Sequence, residues 1–131
     1  MSFWVFLLFF DPLNRLTMAY NETLADRIRQ SLSKLPDIVE KKMMGGLTFM
    51  YRDKMCVGII KDELMCRIDP AKQDECIQKK GCRPMDFTKK PMKGYIMVDQ
   101  KAMHSQDEFE AWIQLTLEYN DRAKSSKKKK L

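Results

Sequence analysis

The sequence contains a single histidine, His104, and its four cysteines form no CxxC pair. The cysteines are Cys56, Cys66, Cys76 and Cys82. A tetrahedral zinc site needs closely spaced ligand pairs, so this spacing predicts free, buried thiols in a reducing cytoplasm and no metal centre. A serine or cysteine nucleophile needs a base, and His104 has no identifiable partner to orient it, so we interpret it as a turn residue before a helix. We therefore predict no cofactor and no enzymatic activity, with an enzyme of unrecognised site as the alternative.

The sequence also lacks an apolar run long enough to cross a membrane. Phe3 to Phe10 is an apolar run of eight residues, whereas about 20 residues are needed to span a bilayer. Neither a positive segment before this run nor a small-residue cleavage site after it indicates a signal peptide. We interpret residues 1–17 as an upstream extension of a protein that starts at Met18, with a membrane-surface anchor as the alternative.

Positive charge is scarce outside the C-terminal tail. The net charge is +6, but residues 121–131 hold six Lys or Arg and one Asp, which leaves about +1 for the rest of the chain. A nearly neutral body does not predict a phosphate-binding face. The candidate nucleic-acid contacts are therefore the tail residues Lys127, Lys128, Lys129 and Lys130. Because no aromatic residue lies between these lysines, a disordered, solvated tail is the alternative interpretation.

Apolar periodicity predicts an amphipathic helix from the N-cap Asn21 to the residue before Pro36. Its apolar face consists of Leu24, Ile28, Leu32 and Leu35. Gly45 and Gly46 then permit a backbone turn that leads into the sheet. Neither a GxGxxG nor a Walker pattern follows these glycines, so no phosphate-binding loop is predicted.

Alternating apolar residues and two polar turns predict a three-stranded antiparallel meander between Met43 and Asp69. If residues 52–54 form a three-residue turn, the opposed pairs are Tyr51 with Met55, Phe49 with Val57 and Leu47 with Ile59. If Asp62 and Glu63 form a two-residue turn, the next pairs are Lys61 with Leu64, Ile59 with Cys66 and Val57 with Ile68. This register places Cys56 and Cys66 on opposite faces, so they should not form a disulfide.

Two more helices and at least one more strand follow. Asp69 caps a helix predicted over about Pro70 to Lys80, and Tyr95 to Asp99 alternates as a fourth strand. Ser105 and Glu108 form a capping box at the start of the last helix. Its apolar face consists of Phe109, Trp112, Ile113 and Leu117. The order helix, three strands, helix, one or two strands, helix predicts a two-layer α+β domain, an antiparallel meander sheet with flanking helices.

A proline-constrained loop between Arg83 and Gly94 is the leading candidate for a binding surface. It contains two related tetrapeptides, Arg83-Pro84-Met85-Asp86 and Lys90-Pro91-Met92-Lys93. A loop that combines cations with apolar tips can form a partner or ligand surface, and the methionines can equally serve as anchors to the sheet. The candidate partner-binding residues are Arg83, Met85, Asp86, Lys90, Met92 and Lys93. Nine of the eleven methionines lie between Met43 and Met103, and we interpret most of them as core residues rather than as an adaptable surface.

Several motifs, in chain order, resemble the N-terminal domain of the TfoX/Sxy family. They are Met43-Met44-Gly45-Gly46-Leu47, Gly58, Lys61-Asp62-Glu63-Leu64, Arg67, Arg83-Pro84-Met85-Asp86-Phe87, Pro91-Met92-Lys93-Gly94 and Trp112. The resemblance covers about Met18 to Asn120. It divides the chain into an extension (1–17), a TfoX N-terminal-like domain (18–120) and a disordered basic tail (121–131).

This resemblance implies a cytoplasmic bacterial protein with a fold similar to YjbR-like and secretion-chaperone-like α+β domains. Full-length family members regulate competence for DNA uptake as transcriptional coactivators and carry a second, helical C-terminal domain, whereas this sequence ends in four lysines and a leucine. The family supplies no catalytic residues to carry over. We therefore expect a stand-alone, non-enzymatic regulatory domain that acts through a protein partner and does not associate with a membrane. The sequence does not distinguish a monomer from a homodimer.

Overall fold

A computed structural model describes residues 20–43, 45–85 and 92–124 of the protein. Within these residues the helices are α1 (Glu22–Ser31), α2 (Gln73–Cys76) and α3 (Gln106–Asn120). The strands are β1 (Ile38–Met43), β2 (Gly46–Tyr51), β3 (Lys54–Ile60), β4 (Glu63–Arg67), β5 (Cys82–Pro84) and β6 (Tyr95–Val98). Two 3-10 helices cover Pro70–Lys72 and Gln100–Ala102. The predicted extension over residues 1–17 lies outside the described residues.

The six strands form one antiparallel sheet in the order β1-β2-β3-β4-β6-β5. Side chains of α1 and α3 pack with one face of this sheet into the main core, which confirms the α+β class. The sequence does not predict β1, because its residues lack the alternation of apolar and polar side chains that marks a half-buried strand. The structure shows the reason, since residues 39–42 are all exposed. This strand is an edge of the sheet, and the exposed side chain of Val39 lies on it.

Helix α1 begins as predicted and ends early. The Asn21 side chain accepts a hydrogen bond from the Leu24 N–H at 3.1 Å, which confirms the N-cap. The helix stops at Ser31 rather than at the residue before Pro36. Next to this end, the Ser33 hydroxyl donates to the Gln30 carbonyl at 2.9 Å, a local bond of the kind that competes with helical pairing.

The register between β2 and β3 is partly as predicted. Leu47 opposes Ile59 and Phe49 opposes Val57, but Tyr51 opposes Lys54 rather than Met55. The turn has two residues, Arg52 and Asp53, both with positive φ, and this type of turn matches the twist of a hairpin. A bulge at Cys56 absorbs the extra residue.

This bulge changes the side of the sheet on which Cys56 lies. The side chain of Cys56 belongs to the main core together with Cys66, so the prediction that they lie on opposite faces is wrong. Both thiols are free.

The register between β3 and β4 differs from the prediction by two residues. The turn is formed by Lys61, which has φ of 57°, and Asp62. The observed pairs are Val57 with Cys66, Gly58 with Met65, Ile59 with Leu64 and Ile60 with Glu63. Because side chains alternate with a period of two, this shift leaves each residue on its predicted face.

The helix predicted over about Pro70 to Lys80 is much shorter in the structure. Asp69 is the N-cap, as predicted, but its first turn is the 3-10 helix Pro70–Lys72, and α2 ends at Cys76. Residues 78–80 are exposed, so no apolar face extends the helix toward Gly81.

Helix α3 begins with the predicted capping box, but its buried face differs from the prediction toward its C-terminal end. The Ser105 hydroxyl accepts from the Glu108 N–H at 3.1 Å, and the Glu108 carboxylate accepts from the Ser105 N–H at 2.9 Å. These bonds confirm the capping box. The predicted residues Phe109, Trp112 and Ile113 are buried. Leu117 is only partly buried, and the buried face is completed by Thr116 and Asn120.

The opposite face of the sheet carries a methionine cluster. It consists of Met50, Met55, Met65, Met85 and Met97, with Met43, Ile60, Met92 and Tyr95 packed against it. The five cluster methionines are at most 7% exposed. Their burial confirms the interpretation of these methionines as core residues.

Candidate partner-binding surface

Strands β5 and β6 pair as the two arms of a hairpin, and backbone hydrogen bonds extend the pairing to Met85 and Met92. The Met85 N–H donates to the Tyr95 carbonyl, the Met92 N–H to the Met85 carbonyl and the Tyr95 N–H to the Met92 carbonyl, each at 3.1 Å. Of the predicted site residues, Asp86 and Lys90 lie outside the described residues.

Side chains at the base of this hairpin divide into anchors and exposed cations. Met85 is 2% exposed within the methionine cluster, and Met92 is partly buried against that cluster. Arg83 and Lys93 are exposed. The structure therefore places the two methionines against the sheet and the two cations at the surface, close to the free edge formed by β5.

Arg83 is held by an ion pair on the methionine side of the sheet. Its guanidinium donates to both carboxylate oxygens of Glu63, with Nη2 at 3.0 Å from Oε2. In the sheet register Arg83 opposes Met97, which in turn opposes Met65, so the three residues lie on one side. Exposed ion pairs contribute at most about 1 kcal/mol, so Arg83 can be substituted without unfolding the domain.

The four cysteines do not form a reactive site. All four are free and buried, as predicted. Burial raises the pKa of the Cys66 thiol well above its ordinary value and the pKa of Cys82 to about 11. Because the thiolate is the nucleophile and the metal ligand, both side chains are unreactive near neutral pH.

His104 is an exposed residue that lies in neither a helix nor a strand, directly before Ser105, the N-cap of α3. Hydrogen bonds from the Ser105 backbone and hydroxyl lower the pKa of the nearby Glu108 carboxyl, so this carboxylate is committed to the helix cap.

Within residues 20–43, 45–85 and 92–124, no three metal-ligating side chains converge. No helix of this part of the chain has both the length and the apolarity to cross a membrane.

The segment after α3 contacts the domain before the lysine run begins. Arg122 forms an ion pair with Asp69 at 3.0 Å, and the Arg67 guanidinium donates to the Lys124 carbonyl at 3.2 Å. Ala123 between them is buried. Residues 121–124, which the sequence assigns to the tail, thus lie against the domain. The candidate residues Lys127, Lys128, Lys129 and Lys130 are outside the described residues.

A groove of about 440 Å³ lies beside α3 and is not marked by any sequence motif. Its cations are Lys79 and Lys80, which follow α2, and Lys101 in the second 3-10 helix. Its apolar side chains come from α3 and include Ala111, Trp112 and Leu115. The only sequence signal is the pair Ala111 and Leu115, one helical turn apart beside the predicted apolar face.

Comparison with known proteins identifies one related family. The profile of the TfoX N-terminal domain matches residues 30–119, which is more than half of the chain. This match contains every motif that carries the resemblance found in the sequence, and it confirms that resemblance. No curated protein and no solved structure matches the chain.

Proposed function

Because the chain belongs to the TfoX N-terminal domain family, we propose that it is a cytoplasmic regulatory domain that acts through a protein partner, as a transcriptional coactivator does. This family is not a known enzyme family. The observation that supports a partner surface most directly is the β5–β6 hairpin, in which Met85 is buried and Met92 partly buried against the sheet while Arg83 and Lys93 are exposed.

The geometry of this edge favours recognition by side chains. Strand β5 has three residues and ends at Pro84, and a short edge strand with proline is a poor template for an added strand. Arg83 already binds a carboxylate through both of its terminal nitrogens, the geometry that makes arginine selective for carboxylates. We therefore propose that an acidic side chain of the partner contacts this edge, with Lys93, Lys90 and Asp86 as further contacts.

The test is quantitative affinity capture with a variant that carries Arg83→Ala, Lys90→Ala and Lys93→Ala. We expect recovery of the partner to fall by at least about tenfold, because charged pairs at an interface contribute strongly to its stability. Melting temperatures of both proteins check that the substitutions leave the fold intact.

Lys34→Ala, Lys41→Ala and Lys42→Ala form the matched control, since they remove the same charge from exposed positions at and near the opposite edge strand, β1. Recovery should be unchanged in this control. Equal recovery with the hairpin variant and with wild type would remove the hairpin from the proposal.

A second proposed function is weak, nonspecific nucleic-acid binding by the lysine tail. The supporting observation is the concentration of charge in Lys127 to Lys130. Deletion of residues 125–131 leaves the packed residues 121–124 in place and should abolish association with duplex DNA. In the full chain, a plot of log affinity against log salt should have a slope of about −3 to −4 if each lysine contacts one phosphate. Fluorescence anisotropy measures both, and undiminished binding after the deletion would exclude the tail.

A further inference from the structure

Three lysine ammonium groups line the groove beside α3 without neutralising carboxylates. Among the described residues, Lys79, Lys80 and Lys101 take part in no ion pair, whereas the nearby Lys72 is paired with Glu118 at 3.6 Å. The groove thus carries a local excess of positive charge on a nearly neutral domain. Such an excess attracts anionic partners.

The one carboxylate that lines the groove does not cancel this charge. Glu108 accepts a hydrogen bond from the Ser105 N–H at 2.9 Å, and its charge interacts with the N-terminus of α3, where anions are favoured. The three lysines and this one carboxylate leave the groove lining with a net charge of +2. The ammonium groups are flexible and can follow the carboxylates of a peptide without a fixed geometry.

The floor of the groove is apolar and belongs to α3. Ala111 is exposed and Leu115 is partly exposed, one turn apart on the helix. Trp112 between them is 4% exposed. Its Nε1–H donates to the Ala102 carbonyl at 2.9 Å, and the Lys79 ammonium lies 5.1 Å from the centre of its ring.

These contacts favour an acidic peptide over single-stranded nucleic acid as the ligand of the groove. Binding of single-stranded nucleic acid relies on stacking of bases on exposed aromatic rings, and the Trp112 ring is buried and covered by a cation. We infer that the groove binds a short acidic peptide segment of a partner protein, with one aliphatic side chain of that segment seated on Ala111 and Leu115 and its carboxylates at the three lysines.

This inference goes beyond the proposed function, because it concerns a different surface from the one that contains Arg83. Arg83 is on the methionine side, and the groove is on the side of α3. A variant of one surface therefore leaves the other intact, and the two proposals can fail separately.

The experiment uses the full chain and a fluorescein-labelled peptide of about ten residues in which aspartates and glutamates flank one leucine. We expect salt-sensitive binding by anisotropy, at least about tenfold weaker for a Lys79→Gln, Lys80→Gln, Lys101→Gln variant. An analogue with asparagines and glutamines should not bind. An analogue with glycine in place of leucine should bind several-fold more weakly.

Lys34→Gln, Lys41→Gln and Lys42→Gln form the matched control, with the same change in charge at residues that do not line this groove, and should bind the peptide as wild type does. Nuclear magnetic resonance locates the site: in a Trp4→Phe background Trp112 supplies the remaining indole N–H signal, and the peptide should shift it. The hairpin variant should also bind normally.

Four outcomes would overturn the inference. They are absence of peptide binding, equal binding of the uncharged analogue, equal weakening by the two triple-glutamine variants, and an indole signal that the peptide does not move. Loss of single-stranded DNA binding with retained peptide binding in the Lys79, Lys80 and Lys101 variant would assign the groove to nucleic acid instead.

Discussion

Gly46→Ala is expected to lower the free energy of unfolding by at least about 3 kcal/mol, at the upper end of the cost of overpacking. A Cβ at this position would lie 1.9 Å from the Ile59 carbonyl oxygen and 3.0 Å from its carbonyl carbon. Both atoms are backbone of the neighbouring strand β3, which can move only by breaking its pairing with β2. Domains of this kind are stable by about 5–15 kcal/mol in total, so the variant should unfold at a much lower urea concentration, as measured by far-ultraviolet circular dichroism.

Gly45→Ala is the matched control for this substitution. Gly45 has φ of +75°, and a Cβ there would have no heavy atom within 4 Å. The control should therefore cost only about 1–2 kcal/mol, the penalty of a left-handed conformation for an L-residue. If both variants lost the same stability, the close approach of Gly46 to β3 would not be what requires glycine.

These two glycines show what could not be predicted from the sequence. Adjacent glycines indicate a turn, and Gly45 does supply the positive φ of the turn between β1 and β2. Gly46 has a different role, since it allows the backbone of β3 to approach. That role depends on Ile59, thirteen residues further on, and no local pattern reveals a tertiary contact.

Turn geometry explains the errors in strand register. Both hairpin turns place non-glycine residues, among them Arg52, Asp53 and Lys61, at positive φ, so the usual Asn-Gly or Asp-Gly signal of a two-residue turn is missing. The bulge at Cys56 likewise has no local signature. The apolar faces of β3 and β4 were still largely predictable, because alternation determines the face and only the bulged residue departs from it.

The two candidate surfaces also differ in how far the sequence reveals them. The stretch from Arg83 to Gly94 could be selected from the sequence, as a proline-constrained loop, because two Pro-Met motifs mark it. The groove could not be selected in this way, since its lysines lie in two separate segments and its floor is on α3, and each lysine alone resembles an ordinary solvated side chain. Only the fold brings Lys79 and Lys101 to the same groove.

The methionine cluster gives the second large expected effect. Met65→Ala should lower the free energy of unfolding by about 2–5 kcal/mol, the cost of removing a large buried side chain and leaving a cavity. Met65 is 1% exposed and opposes Gly58 in the register. Its Cε would lie 3.0 Å from a Cβ at Gly58, so the methionine occupies the space that this glycine leaves open.

Met65→Leu separates a core role from a surface role at the same position. Leucine keeps most of the buried volume, so this control should cost less than about 1.5 kcal/mol, and the difference between the two variants measures the cavity. If the methionines were a binding surface instead, both substitutions would change stability by no more than about 0.5 kcal/mol. Urea denaturation of the two variants therefore distinguishes the roles without knowledge of any partner. Equal, small effects would contradict the assignment of this face as a second core.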